Sequence, residues 1–195
     1  MTVPVPDLTW PMRFIDAALR RRLGVAEFSG DPECLIRVSR MASPRALTLA
    51  GGAVRQGDPV LEVHLWNEHL PRIPTGGGTA SWANLFKRRM RHSLALLARY
   101  VAQRPECRDI VAITAAPPFA RRLGPMALAR VAEHLGWEVV PPRHDGAIHR
   151  RLDGLLMWLL IWAFNPGGLR GRGIAHRRLE IWMSRARLLE RHGIS

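Results

Sequence analysis

Apolar positions recur along this chain with two different periods. From Trp82 to Gln103 the residues Trp82, Leu85, Phe86, Met90, Leu94, Leu97 and Val101 return every three or four positions, with Lys87, Arg88, Arg91 and Arg99 between them. That spacing predicts an amphipathic helix, which Pro105 stops. Phe14, Ile15, Ala18 and Leu19 form a similar stripe behind Thr9-Trp10-Pro11, so a first helix is expected over 11–23, closed by Gly24. Between these two segments the period is two. Cys34–Arg40, Ala46–Ala50 and Val60–Trp66 are short β-rich runs parted by Ser43-Pro44, Gly51-Gly52 and Gly57-Asp58-Pro59, the pattern of an antiparallel meander. Further on, Ile110–Thr114 reads as a strand buried on both faces, Leu123–Leu135 as a helix ending at Gly136, and Trp137–Val140 as a last short strand before Pro141-Pro142.

Leu152–Phe164 carries an unbroken apolar run from Leu155, but a membrane span needs about 20 such residues and this one ends at Asn165-Pro166-Gly167-Gly168. A last helix is expected over Ile174–Arg191, with Ala175, Leu179, Trp182, Ala186 and Leu189 on one side. Leu155, Trp158, Trp162, Phe164 and Trp182 then either pack into a core or oligomer contact, or meet a membrane surface or a partner. The element order, α-β-β-β-α-β-α-β-α-α, predicts a mixed α+β fold with one mixed sheet: an antiparallel meander, then αβαβ, then a helical extension. One domain over 1–195 is expected, with an N-terminal helix at 11–23, a sheet core at 34–140 and a basic, Trp-rich helical tail at 148–191.

Composition adds a charge argument. The 195 residues include 29 Lys+Arg against 16 Asp+Glu, a net charge of +13, and Lys87 is the only lysine. Arginine forks suit phosphates and carboxylates, so phosphate-bearing molecules, an anionic membrane and nucleic acid all come into view. From Arg150 to Arg191 nine arginines and three acids enclose the most apolar run of the chain. Charge and apolarity concentrated together favour a membrane surface, or a membrane enzyme, over a nucleic-acid groove. No nucleic-acid-binding motif supports the third option. A hydrophobic fraction of 47% excludes disorder throughout. Cys34 and Cys107 are too few for a disulfide scaffold, and Met1–Pro11 lacks the order of a signal peptide, so the expected location is the cytoplasm, either free or, through the basic apolar tail, peripheral on the inner membrane.

Candidate chemistry lies in Val60–Trp66. Alternation sends Leu61, Val63 and Leu65 to one face and Glu62, His64 and Trp66 to the other, with Asn67, Glu68 and His69 crowding the strand end. Glu62 and His64, about 7 Å apart along the strand, either form a charge pair on a solvated outer face or supply a base that titrates near neutrality and a carboxylate that raises its basicity. No third ligand has the spacing to join His64 and His69 around a metal, so no metal is expected. Arg72-Ile73-Pro74-Thr75-Gly76-Gly77-Gly78-Thr79-Ala80 then opens a helix. Gly76, Gly77, Gly78 and Thr79 are either a plain connector or a loop whose N–H groups cradle an anion at a helix N-terminus.

Leu35–Arg40 together with Gly57-Asp58-Pro59-Val60-Leu61-Glu62-Val63-His64-Leu65-Trp66-Asn67 resembles the YkoP-like domain family of bacteria, whose strand reads apolar-x-apolar-His-Leu-x-Asn after a Gly-Asp turn. The likeness continues through Leu94–Val101, Ile110–Thr114 and Leu135-Gly136-Trp137-Glu138, most of 34–140. It implies a link to the bacterial envelope, since some relatives are joined to polysaccharide deacetylases, and carries over only His64 and Asn67. The element order also resembles the GNAT acyltransferase fold. That likeness implies acyl-CoA or an acyl carrier held at Gly76–Gly78 and a base at Glu62 or His64, although Arg72 stands one residue too far from Gly76 for that family's loop. The expected function is a membrane-associated acyl transfer to an envelope lipid or glycan precursor, or a non-catalytic accessory role on a membrane enzyme or anionic surface.

Overall fold

A computed structural model describes residues 24–66, 68–72, 79–116, 130–141 and 180–193. Within them, β1 (Ile36–Ala42), β2 (Leu47–Leu49), β3 (Gly52–Val54) and β4 (Pro59–Leu65) precede a long helix, α1 (Ala80–Gln103). A 3-10 turn at Pro105–Cys107 leads to β5 (Ala112–Ala115), and after helical residues 130–134 come β6 (Glu138–Val140), β7 (Glu180–Ser184) and α2 (Arg185–His192). Five strands form one mixed sheet in the order β1-β4-β5-β7-β6, with β4 parallel to β5 and every other pair antiparallel. The fold is therefore mixed α+β around one mixed sheet. The predicted helix over 11–23 and the apolar run of 152–164 lie outside the described residues.

The antiparallel side is built differently from a simple meander. β1 pairs directly with β4, Ile36 opposite Leu65 through Ala42 opposite Pro59, while β2 and β3 make a separate hairpin. Its turn places Gly51 at φ +88°, the left-handed region where a side chain is strained. A Cβ there would also stand 2.8 Å from Ser184 Oγ. That hydroxyl donates to the Ala50 carbonyl at 2.7 Å and accepts from Arg187 N at 3.2 Å, so one serine ties the hairpin to the first turn of α2.

The C-terminal segment corrects the sequence reading. Residues 180–184, expected in the middle of a helix, form β7, which fills the sheet between β5 and β6, and only Arg185–His192 is helical. The run Ile181-Trp182-Met183 suits a pleated surface, and Ser184 then caps the helix. Of the two places the sequence left open for Trp182, a core and a membrane or partner surface, the structure shows the core, where it is 1% exposed. It packs with Leu49, Val54, Val60, Ala112 and Val140, and its indole N–H donates to Glu180. Strand alternation turns it inward, whereas helical spacing had grouped it with Ala175, Leu179, Ala186 and Leu189 on one side of a helix.

The sheet has two unlike faces. Ile36, Val38, Leu61 and Ile113 join Leu94, Leu97, Ala98 and Val101 of α1 and Leu188 of α2 in the main core. On the other face the hairpin residues Leu49 and Val54 meet Val60, Ala112 and Trp182 in a smaller apolar cluster. Toward the C-terminal end of β4 that second face becomes polar, with Arg37, Ser39, Glu62, His64 and Thr114.

Candidate functional site

The polar part of the second face is assembled by strand register. Pairing puts Ser39 opposite Glu62, Glu62 opposite Thr114, and Arg37 opposite His64, and alternation points all five side chains the same way. A solvated face would leave such residues open. Here Arg37 is 4%, Ser39 5% and Thr114 7% exposed. The side chains of His64 and Glu62 retain 28% and 38% exposure, so the pair is neither sealed in nor out in bulk water.

His64 Nε2 lies 2.8 Å from Ser39 Oγ and 3.6 Å from Glu62 Oε2. Both neighbours stand at the same ring nitrogen, and Nδ1 has no hydrogen-bond partner among the described residues. This differs from a serine, histidine and acid relay, in which nucleophile and carboxylate use opposite nitrogens. Burial pushes the imidazole pKa below the ordinary histidine value, and the Glu62 carboxylate partly offsets that by favouring the cation. The net direction is downward, which favours the neutral ring able to accept a proton.

Next to His64, Arg37 reaches Glu27 at 3.1 Å and Glu68 at 3.6 Å, and its guanidinium lies 4.3 Å from the centre of the Trp66 ring. Two carboxylates and an aromatic face compensate this buried cation. His69 also stacks on Trp66, with centroids 3.8 Å apart, and its Nδ1 lies 2.8 Å from the Cys34 carbonyl. These contacts tie the end of β4 to Cys34 and Arg37, and Trp66, assigned by alternation to the same face as His64, serves as packing for Arg37 and His69. Cys34 and Cys107 are buried, and burial raises both thiol pKa values, which suits inert core residues.

Of the other predicted site residues, Asn67 and Gly76, Gly77 and Gly78 lie outside the described residues, as do Leu155, Trp158, Trp162 and Phe164. Thr79 is the N-cap of α1, its hydroxyl accepting from Trp82 N at 3.2 Å. Further along α1, Ser93 Oγ accepts from Leu35 N at 2.8 Å, and Leu35 O in turn accepts from Trp66 N at 2.7 Å, so Ser93 stands level with the end of β4. The helix between Thr79 and Ser93 spans ~21 Å at a rise of ~1.5 Å per residue. The start of α1 thus stands well away from the His64 level and is not part of the same side-chain cluster. Among the described residues no group of three or more His, Cys, Asp or Glu could hold a metal ion.

Ser39, Arg37 and Thr114 escaped the sequence reading. Alternation in Ile36-Arg37-Val38-Ser39 carried a signal for the first two, but a meander would have set β1 beside the second run instead of against Glu62 and His64.

The five-stranded mixed sheet with its helices defines the class of architecture as mixed α+β, and an acid and an imidazole stand on its polar face. A family model for the YkoP domain matches residues 13–192, and the chain belongs to that family. No curated protein and no solved structure matches it.

Proposed function

We propose that this YkoP-domain protein is an acyl-transfer enzyme, working at a membrane surface on an envelope lipid or glycan precursor that carries an amine or hydroxyl, with His64 as general base. The observation that supports this reading is the half-buried His64, whose burial favours the neutral ring, with Glu62 and Ser39 at its Nε2. In the proposed step the imidazole takes the acceptor's N–H or O–H proton while that nitrogen or oxygen attacks the thioester carbonyl of an acyl-CoA or acyl carrier. The new C–N or C–O bond forms, the C–S bond breaks, and the departing thiolate takes the proton back from the imidazolium. Gly76–Gly78 and Thr79 are proposed to hold the phosphates of the donor. Donor phosphates and thioester lie at opposite ends of an extended arm, so the two subsites need not be adjacent. Asn67 is proposed to orient the acceptor, and Leu155, Trp158, Trp162 and Phe164 to contact the membrane or a membrane enzyme.

A second reading, a non-catalytic accessory on an anionic surface, is favoured by one observation: α1 contains no acidic residue, and its Arg88, Arg91 and Arg99 are exposed. Thiol release from short- and long-chain acyl-CoA, with amine and hydroxyl acceptors in the presence of anionic vesicles, separates the two. Acyl transfer requires turnover that His64→Ala lowers by about 10²- to 10⁴-fold in kcat/KM. No turnover, or equal turnover in the variant, contradicts it and leaves the accessory reading.

A further inference from the structure

We infer that Glu62 and Ser39 act together as positioning residues that hold the His64 proton on Nε2, so that Nδ1 presents the lone pair that receives the substrate proton. This rests on the acyl-transfer reading for its chemical purpose, whereas the proton's location is argued from the placement of Ser39 and the charge of Glu62. A neutral imidazole carries one proton, and two tautomers are available. With the proton on Nδ1, the Nε2 lone pair could accept from the Ser39 hydroxyl but would also face a carboxylate oxygen 3.6 Å away, an unfavourable contact on a half-buried face. With the proton on Nε2, the N–H donates to Ser39 Oγ at 2.8 Å and points its positive end toward Glu62. Both contacts then become favourable at once.

The other groups on this face do not reverse that preference. Arg37, the register partner of His64 on β1, is held by Glu27 and Glu68. Thr114 on β5 is uncharged, and its hydroxyl donates to the Ile181 carbonyl at 3.3 Å. Glu62 is therefore the carboxylate that biases the ring, and Ser39, nearly sealed from solvent, is the acceptor that fixes its rotation. The consequence for chemistry is directional. A substrate N–H or O–H must approach the Nδ1 edge, opposite the strand neighbours, and the serine is not the nucleophile.

The test is nitrogen-15 NMR of the His64 ring in the full chain above its titration midpoint, where long-range proton couplings distinguish a protonated from an unprotonated ring nitrogen. The expected result is a protonated Nε2 and a bare Nδ1. Ser39→Ala is expected to weaken the preference toward a mixture, and Glu62→Gln to lower the His64 titration midpoint, because the carboxylate that favours the cation is gone. The acid limb of any acyl-transfer rate should move to lower pH by the same amount. A proton on Nδ1 in the wild type, or a midpoint unmoved by Glu62→Gln, overturns the inference. An Nε2–H tautomer in a chain that transfers no acyl group supports the inference and rejects the acyl-transfer reading instead.

Discussion

At the scale of single residues, the behaviour of His64 follows from what β1 puts beside it. Glu62 and His64 were legible from the sequence because they sit two apart on a strand whose other face is Leu61, Val63 and Leu65. Their environment was not. Ser39 reaches His64 only because β1 pairs with β4 across the β2–β3 excursion, a long-range choice that local alternation does not encode. Arg37 makes the same point with opposite chemistry, since an arginine in a strand reads as a surface residue until the carboxylates that compensate it are known. Replacing Arg37 by Met should cost about 1–3 kcal/mol in urea unfolding, through loss of the ion pairs and of stacking on Trp66. A neutral outcome would mean that Glu27 and Glu68 are as well off in water.

At the scale of elements, the C-terminal strand and helix lock the fold. α2 sets Arg187, Arg191 and His192 against the carbonyls of Gly136, of Glu133 and His134, and of Leu135, where the helix ending at residue 134 leaves acceptors unmet. Gly136, at φ +92°, closes that helix end as its place after Leu135 suggested. The strand before α2 was hidden, because Ile181-Trp182-Met183 fits a helical stripe as well as a strand and only its seat between β5 and β6 decides the matter. Ser184→Ala should cost about 1–3 kcal/mol, losing a cap and leaving Ala50 O without its donor. Gly51→Ala should add ~1–2 kcal/mol of backbone strain at the same joint. His192 brings pH into this contact. Burial depresses its pKa, so below about 6.5 the unfolded chain takes up a proton that the folded chain resists, and stability falls as pH falls. His192→Gln should flatten the decline in urea midpoint between about pH 7.5 and 5.5. An unchanged slope would place the titrating group elsewhere.

At the scale of the whole molecule, charge is the dominant property. A net +13 should favour binding to anionic surfaces, and screening should remove that attraction as salt rises. No helix among the described residues is long and apolar enough to cross a membrane. With Trp182 committed to the core, any apolar contact with lipid falls to other residues. Flotation with anionic vesicles should therefore show binding that weakens with salt. A residual that survives high salt and disappears in the Trp158→Ala, Trp162→Ala double variant would locate the apolar contact in the tail, while complete release of the wild type by salt would leave only non-specific charge. The overall fold class was legible because helix and strand periods alternate along the chain. Its long-range choices, β1 against β4 and β7 into the sheet, were settled by burial and not by local pattern.

The charge state of one ring decides whether His64 can serve as a base. Proton NMR titration of His64 in the intact protein, assigned by its loss in His64→Gln, should give a midpoint below the ordinary histidine value of about 6.5, as burial beside β1 requires. A midpoint above that value would mean that Glu62 outweighs burial and that His64 carries a proton near neutrality, contradicting its role as a base.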